Sequence, residues 1–376
     1  MDFQQYFKSR QGEMIGLLKE LVGRESPTAD KKAVDACSVF LAEQFRKAGA
    51  KTTRLPQKAI GDFHVFEYPG REDKSLDGRL LILTHIDTVW PVGRIAKMPF
   101  YLSGDKLFGP GALDMKAGLV LAHSVIKAMN DLNLKPRRRI ALFVNSAEEV
   151  GSKEAHGMIQ SLARKSDAVL CLEPAIPGGA LKVQRKGCLV VRLETTGRAA
   201  HGGSPEKGVN AIEELMLQLR QVQSLKSKEV SVNIGLVGGG ERANIVPAKA
   251  WAVCDIRFWD SPHKEKILSA LKKLAPKLRG AKIKVTGVSY TPPLEKTKAS
   301  AALFNEAKSI AAGLGMKLEG GKAGGGSDAS IAAGLGLPTL DGLGPDGDGM
   351  HAENEHLILP SLVQRAALLV ELVRRV

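Results

Sequence analysis

The chain is poor in the groups that announce several common chemistries. Only four cysteines occur in 376 residues, Cys37, Cys171, Cys188 and Cys254, and no two form a C-x-x-C pair. Three lie inside apolar runs and read as reduced core thiols. That pattern favours the cytoplasm and argues against cysteine metal sites. Aromatic residues are only 5% of the chain, too few for platforms on which nucleic-acid bases stack. No apolar stretch approaches the roughly 18 to 20 residues of a membrane helix. The opening MDFQQYFKSRQGEMIGLLKE is amphipathic with acids interspersed, so neither a membrane partner nor a signal peptide is expected. HExxH is absent, which excludes the helix of a mononuclear zinc protease. GGKAGGGSD lacks the G-K-[ST] ending of a phosphate loop. DGLGPDGDG has no glutamate twelve positions along from Asp346, so a calcium-binding EF-hand loop is a poor reading.

What is abundant is positive charge, +14 net, and glycine, 40 residues. Lys and Arg are spread along the chain, and the densest clusters, KPRRR at 135–139 and KEKILSALKKLAPKLRG at 264–280, read as a loop and an amphipathic helix. Acidic small substrates therefore suit the charge better than nucleic acid does.

Strand-like runs alternate with helical patterns up to about residue 177. Helices are expected near 2–22, 31–49, 115–131 and 153–164, and strands at RLLILTH, RRIALFVN and DAVLCLE. This rhythm predicts a mostly parallel sheet sandwiched by helices, with functional groups at strand ends. After the break EPAIPGGA at 173–180 the order becomes βαββαβ, the ferredoxin-like arrangement. The expected division is a discontinuous catalytic domain, 1–179 and 292–376, with an inserted domain at 180–291.

Candidate functional groups gather just beyond element ends. In LLILTHIDTVWP, His85 and Asp87 are two apart, so strand alternation puts both on one face. Asp114 stands in GPGALDMKAG before a helical pattern, Glu173 follows the strand of VLCLEPA, and His351 lies in GDGMHAENE. ALFVNSAEEVGS sets Glu148 beside Glu149 at a strand end. At an effective dielectric near 20, two carboxylates about 5 Å apart repel by roughly 3 kcal/mol, so something must offset that repulsion or use it. Two His with several carboxylates suit two zinc-like cations about 3.5 to 4 Å apart, sharing a carboxylate and a water. One glutamate of the pair can then bind metal while its neighbour stays free to move a proton.

Taken with GRAAHGGSPEKGVNAI, ANIVPAKA, DIRF and GGGSDAS, these motifs resemble the M20 family of dinuclear zinc peptidases and amidohydrolases over nearly the whole chain. The resemblance is strongest to the glutamate-carboxypeptidase branch. It implies two divalent ions, zinc with cobalt or manganese as alternatives, bridged by Asp114. One would be completed by His85 and Glu173, the other by Glu149 and His351, with Asp87 supporting His85 and Glu148 as general base. It further implies that the inserted domain is a lid that forms a homodimer, that His201 binds the oxyanion, and that Arg257 and Asn244 grip the substrate carboxylate. Ser327 and Asp328 fall on the substrate-side loop. Pro110, where many deacylases carry Arg, and the glutamate at 173 both point to the carboxypeptidase branch. The expected reaction is hydrolysis of an amide next to a free carboxylate, in a small peptide or N-acyl amino acid. The rival readings are an N-acyl amino acid deacylase of the acetylornithine or succinyl-diaminopimelate type, and a non-catalytic binding protein on the same fold.

Overall fold

The computed structural model describes residues 1–70, 78–151 and 153–376. They divide into two compact units, the first Met1–Val183, Lys296–Ala323 and Ser327–Val376, the second Gln184–Glu295 with Gly324–Gly326.

The first unit begins with α1 (Phe3–Ser9), α2 (Gln11–Gly23), α3 (Lys31–Lys47), β1 (Lys51–Leu55), β2 (Phe63–Tyr68), β3 (Arg79–His85), β4 (Tyr101–Ser103) and β5 (Lys106–Phe108). It continues with α4 (Ala117–Asp131), β6 (Arg139–Asn145), α5 (His156–Ala163), β7 (Ala168–Cys171) and β8 (Leu181–Arg185). The second unit holds β9 (Gly187–Thr196), α6 (Ala211–Gln223), β10 (Val230–Gly239), β11 (Lys249–Phe258), α7 (Ser261–Lys272) and β12 (Lys282–Thr291). The chain then returns to the first unit as α8 (Lys298–Gly313), β13 (Gly320–Ala323), α9 (Asp328–Ala333), β14 (Thr339–Leu340), β15 (Gly347–Asp348), β16 (His356–Ile358) and α10 (Leu359–Arg375).

In the first unit β3, β6 and β7 are buried almost throughout. Such two-sided burial belongs to parallel strands covered on both faces. The sheet order is β1-β2-β6-β3-β7-β14, with β3 parallel to both β6 and β7 and β14 parallel to β7. Alternate residues serve opposite faces. Leu80, Ile82, Leu142 and Leu170 join the core made with α1 to α4, α8 and α10, whereas α9 packs on β3 and β7 and against α5.

The helical pattern expected over 2–22 is two helices rather than one, because the chain leaves helical geometry at Arg10 (φ −108°, ψ 9°). The physical reason is tertiary: α1 packs on α10 while α2 packs on α4, and one straight rod cannot follow both.

The second unit runs β9-α6-β10-β11-α7-β12 and forms an antiparallel sheet in the order β10-β11-β9-β12. Strict alternation in β9 and β11 buries Leu189, Val191, Leu193, Ala252, Cys254 and Ile256 in a core of their own with Ala211 and Leu215 of α6. The other face of the same two strands keeps Arg192, Glu194, Trp251 and Arg257 half exposed. At its neck Arg185 and Leu294 exchange two backbone hydrogen bonds, 3.0 and 3.1 Å. The unit therefore starts and ends four residues later than the sequence break implied. Lys182 still donates its N–H to Asp341 O in the first unit, and the loop Gly324–Gly326 clusters with the second.

Among the described residues no helix is long and apolar enough to cross a membrane. None of the four cysteines is joined to another by a disulfide.

Candidate metal centre and active site

Because β6, β3 and β7 are adjacent and parallel, their C-terminal ends lie side by side. His85 is the last residue of β3, Glu148 and Glu149 follow β6, and Glu173 follows β7. Asp114 arrives from an irregular turn ahead of α4 and His351 from the turn after β15. His351 is held at φ +62°, in the left-handed region.

These side chains converge. Asp114 Oδ1 is 3.3 Å from His85 Nε2 and its Oδ2 is 3.3 Å from His351 Nε2. His85 Nε2 is also 3.5 Å from Glu173 Oε1, and His351 Nε2 is 3.1 Å from Glu149 Oε2. One carboxylate thus faces both imidazoles, one oxygen to each. Ligand atoms of His85, Asp114 and Glu149 all lie within 4.8 Å of one another, as do those of His85, Glu148 and Glu173.

Asp87 explains how the glutamate pair is held. Fully buried, it accepts backbone N–H groups from Glu148 at Oδ1 and from Glu149 at Oδ2, each 3.2 Å, and the Thr28 hydroxyl at 2.7 Å. Both glutamate backbones are pinned to one carboxylate, and their side chains part. Glu149 reaches His351, and Glu148 joins His85 and Glu173. His85 Nδ1 lies 3.0 Å from Asp87 O, nearer than the 3.5 Å to its carboxylate. A carbonyl only accepts, so in the neutral ring Nδ1 carries the hydrogen and Nε2 presents its lone pair to Asp114 and Glu173.

The electrostatics show what this cluster needs. Burial, then Glu173, Asp328 and Asp114, push the Glu148 carboxyl well above the usual carboxylate range, against the opposing pull of His85. Burial also raises Glu149, against the opposing contact with His351. Burial opposes ionisation of Asp114, yet His351 and His85 hold its carboxyl far below that range. Contacts with Asp114 and Glu149 lift the His351 imidazole to about 10. The contacts of His85 with Asp114, Asp87 and Glu173 raise its imidazole well above normal despite burial. Three buried atoms, His85 Nε2, Asp114 Oδ1 and Glu149 Oε1, have no hydrogen-bond partner. Buried polar atoms are rarely left so, and hard carboxylate oxygens with imidazole nitrogens suit divalent cations. The residues present fit the metal pair.

The remaining expected residues are placed as follows. Ser327 donates to Asp341 Oδ2 at 2.8 Å and Asp328 accepts from Asn145 Nδ2 at 2.7 Å, so both buried side chains are engaged with protein groups. In the second unit His201 is exposed, its Nδ1 accepting from Gly203 N, and it bridges Ile245 beside the exposed Asn244. Arg257 gives Nε and Nη2 to Asp255 and Nη1 to Gly324 O. Two guanidinium hydrogens remain.

Sequence reasoning missed Thr28, Asn145, Lys182 and Glu355. Lys182 is buried with Nζ 3.8 Å from Glu173. Only Asn145, at the end of an apolar strand just ahead of the glutamate pair, carried a sequence signal.

Residues 81–375 match the model of peptidase family M20/M25/M40. Carboxypeptidase G2 of Pseudomonas sp. (strain RS-16) is 31% identical over 368 residues, covering 94% of this chain and 87% of the relative. Among solved structures, aminopeptidase PepT of Bacillus cereus superposes with a TM-score of 0.80 at 22% identity, over 97% of this chain and 98% of that one. The Bacillus subtilis YXEP protein, described as a dinuclear metal-binding peptidase from the M20 family, does so with a TM-score of 0.72 at 15% identity, over 97% and 98%. Matched to this family across most of its length, the chain is a metallopeptidase of the M20/M25/M40 family.

Proposed function

We propose that the protein is a carboxypeptidase that hydrolyses the amide next to a free carboxylate and releases the C-terminal amino acid, with two zinc ions as its cofactor. The observation that carries this reading is Asp114 facing His85 with one oxygen and His351 with the other, each at 3.3 Å. Glu173 beside His85 and Glu149 beside His351 complete two donor sets that share one carboxylate. When bound, the cations polarise the scissile carbonyl and make a water nucleophilic at neutral pH.

The chain's own residues do the rest. Asp87 fixes the backbone of Glu148, which takes the proton from the attacking water and returns it to the leaving amine. His201 donates to the developing oxyanion, in the homodimer we infer from the partner subunit. Arg257 has two hydrogens to spare for the substrate carboxylate, which Asn244 also grips in this reading. The 31% identity to a carboxypeptidase supports this specificity over the deacylase alternative. Cysteines that form no disulfide with one another suit the cytoplasm.

The test is a panel of peptides and N-acyl amino acids with free or amidated C-termini, incubated with metal-loaded protein and read by amine release. Free carboxylates are expected to be cleaved and amides to fall by at least about 100-fold, the scale of losing a charge-assisted bidentate contact. Equal cleavage of both forms would remove Arg257 from this role and move the protein away from carboxypeptidases.

A further inference from the structure

Four hydrogen-bond donors converge on one buried carboxylate that the sequence presents as part of an acidic run, HAENEH. Glu355 is 1% exposed. Its Oε1 accepts the backbone N–H groups of Leu113 at 2.9 Å and Asp114 at 3.1 Å. Its Oε2 accepts the backbone N–H of Gly111 at 2.9 Å and the indole Nε1–H of Trp90 at 2.8 Å.

These donors belong to different ligand-bearing segments. Gly111, Leu113 and Asp114 make up the turn that delivers the shared carboxylate. Trp90 continues the loop that carries His85 and Asp87. Glu355 itself follows His351 by four residues. The turn is packed as closely as its atoms allow, since Gly111 has φ +69° and a Cβ there would lie 2.5 Å from Thr88 Cγ2. Three backbone donors of this turn end on this one carboxylate, and leaving buried N–H groups unpaired is costly. Removing the acceptor would make the turn find another path, and Asp114 would move with it.

Asp114 tolerates little movement, because its two oxygens must each meet a different imidazole. Side chains that ligate metal are held by such outer contacts, whose loss typically lowers metal affinity about 10- to 100-fold. We infer that Glu355 is a positioning residue for the metal pair: it fixes the Asp114 turn against the His85 and His351 segments so that one carboxylate serves both metals. This rests on the proposed metal centre and adds the group that sets its geometry.

The decisive measurement is zinc binding to full-length, demetallated protein, titrated in competition with a chromophoric chelator, alongside the melting temperature of the metal-free form. Glu355→Gln keeps the volume but turns an amide N–H₂ toward N–H donors. It is expected to weaken the second zinc by about 10- to 100-fold while the metal-free protein melts within a few degrees of the parent. Glu355→Asp, which keeps both acceptor oxygens, is expected to bind more tightly than Glu355→Gln. Unchanged zinc affinity in Glu355→Gln overturns the inference, as does a metal-free Glu355→Gln that no longer folds, since the carboxylate would then be a fold keystone. A parent that binds zinc at one site or none removes the dinuclear centre itself, an outcome distinct from two tight zincs in parent and variant alike.

Discussion

Glu148 and Glu149 share a side chain and differ only in direction, and direction decides what each can do. Their backbone N–H groups end on the two oxygens of Asp87, so the loop cannot rotate to exchange them. Glu149 faces His351, and Glu148 faces His85 and Glu173. Glu148→Ala is expected to retain both metals and lose about 10² to 10⁴ in kcat, the usual weight of a general base. Glu149→Ala is expected to lose a metal. Elemental analysis beside turnover distinguishes them, and the opposite pattern would show the two roles to be exchanged. At this scale the sequence showed which residues were special but not how they are aimed. The Asp87 contacts span 61 and 62 positions, a separation that no local pattern encodes. Glu355 was hidden for a related reason: a glutamate in an acidic turn reads as solvated until its four donors are in view.

Elements were more legible than aims, because alternation and apolar runs are local. The strand expected at RLLILTH is β3 residue for residue, and β9 and β11 alternate as their sequences do. The break at Arg10 was not legible, since two partners for α1 and α2 exist only once the chain has folded. Helix α4 carries a further consequence. His123 stands edge-on to Phe45 of α3, with ring centroids 5.5 Å apart, and burial pushes its imidazole down to about 4. The folded state therefore refuses a proton that the unfolded chain accepts near pH 6.5. Below that pH the unfolded state binds more protons, so this contribution to stability is present at neutral pH and is lost as pH falls toward 4. Melting curves of parent and His123→Phe in the same buffers check the sign. The parent should lose stability relative to the variant between about pH 6.5 and 4, and parallel curves would relieve His123 of this role.

For the whole molecule, the residues proposed for catalysis divide between the two units. His85, Asp114, Glu148, Glu149, Glu173 and His351 belong to the first, and His201, Asn244 and Arg257 to the second. If His201 serves the partner subunit, mixing His201→Ala with Glu148→Ala protein rebuilds one complete site in each hybrid dimer. Random exchange in a two-fold dimer should then restore about a quarter of parental activity. No recovery in a mixture shown by mass to contain hybrids would confine His201 to its own chain. The neck of the second unit has a different consequence. Arg185 and Leu294 exchange hydrogen bonds there, so the inserted segment enters and leaves the first unit at neighbouring points. A segment whose ends meet can be transplanted as a cassette, because the host need only close a gap one strand spacing wide. Exchange of that segment would leave the candidate metal-binding cluster, which lies wholly in the first unit, unchanged in sequence.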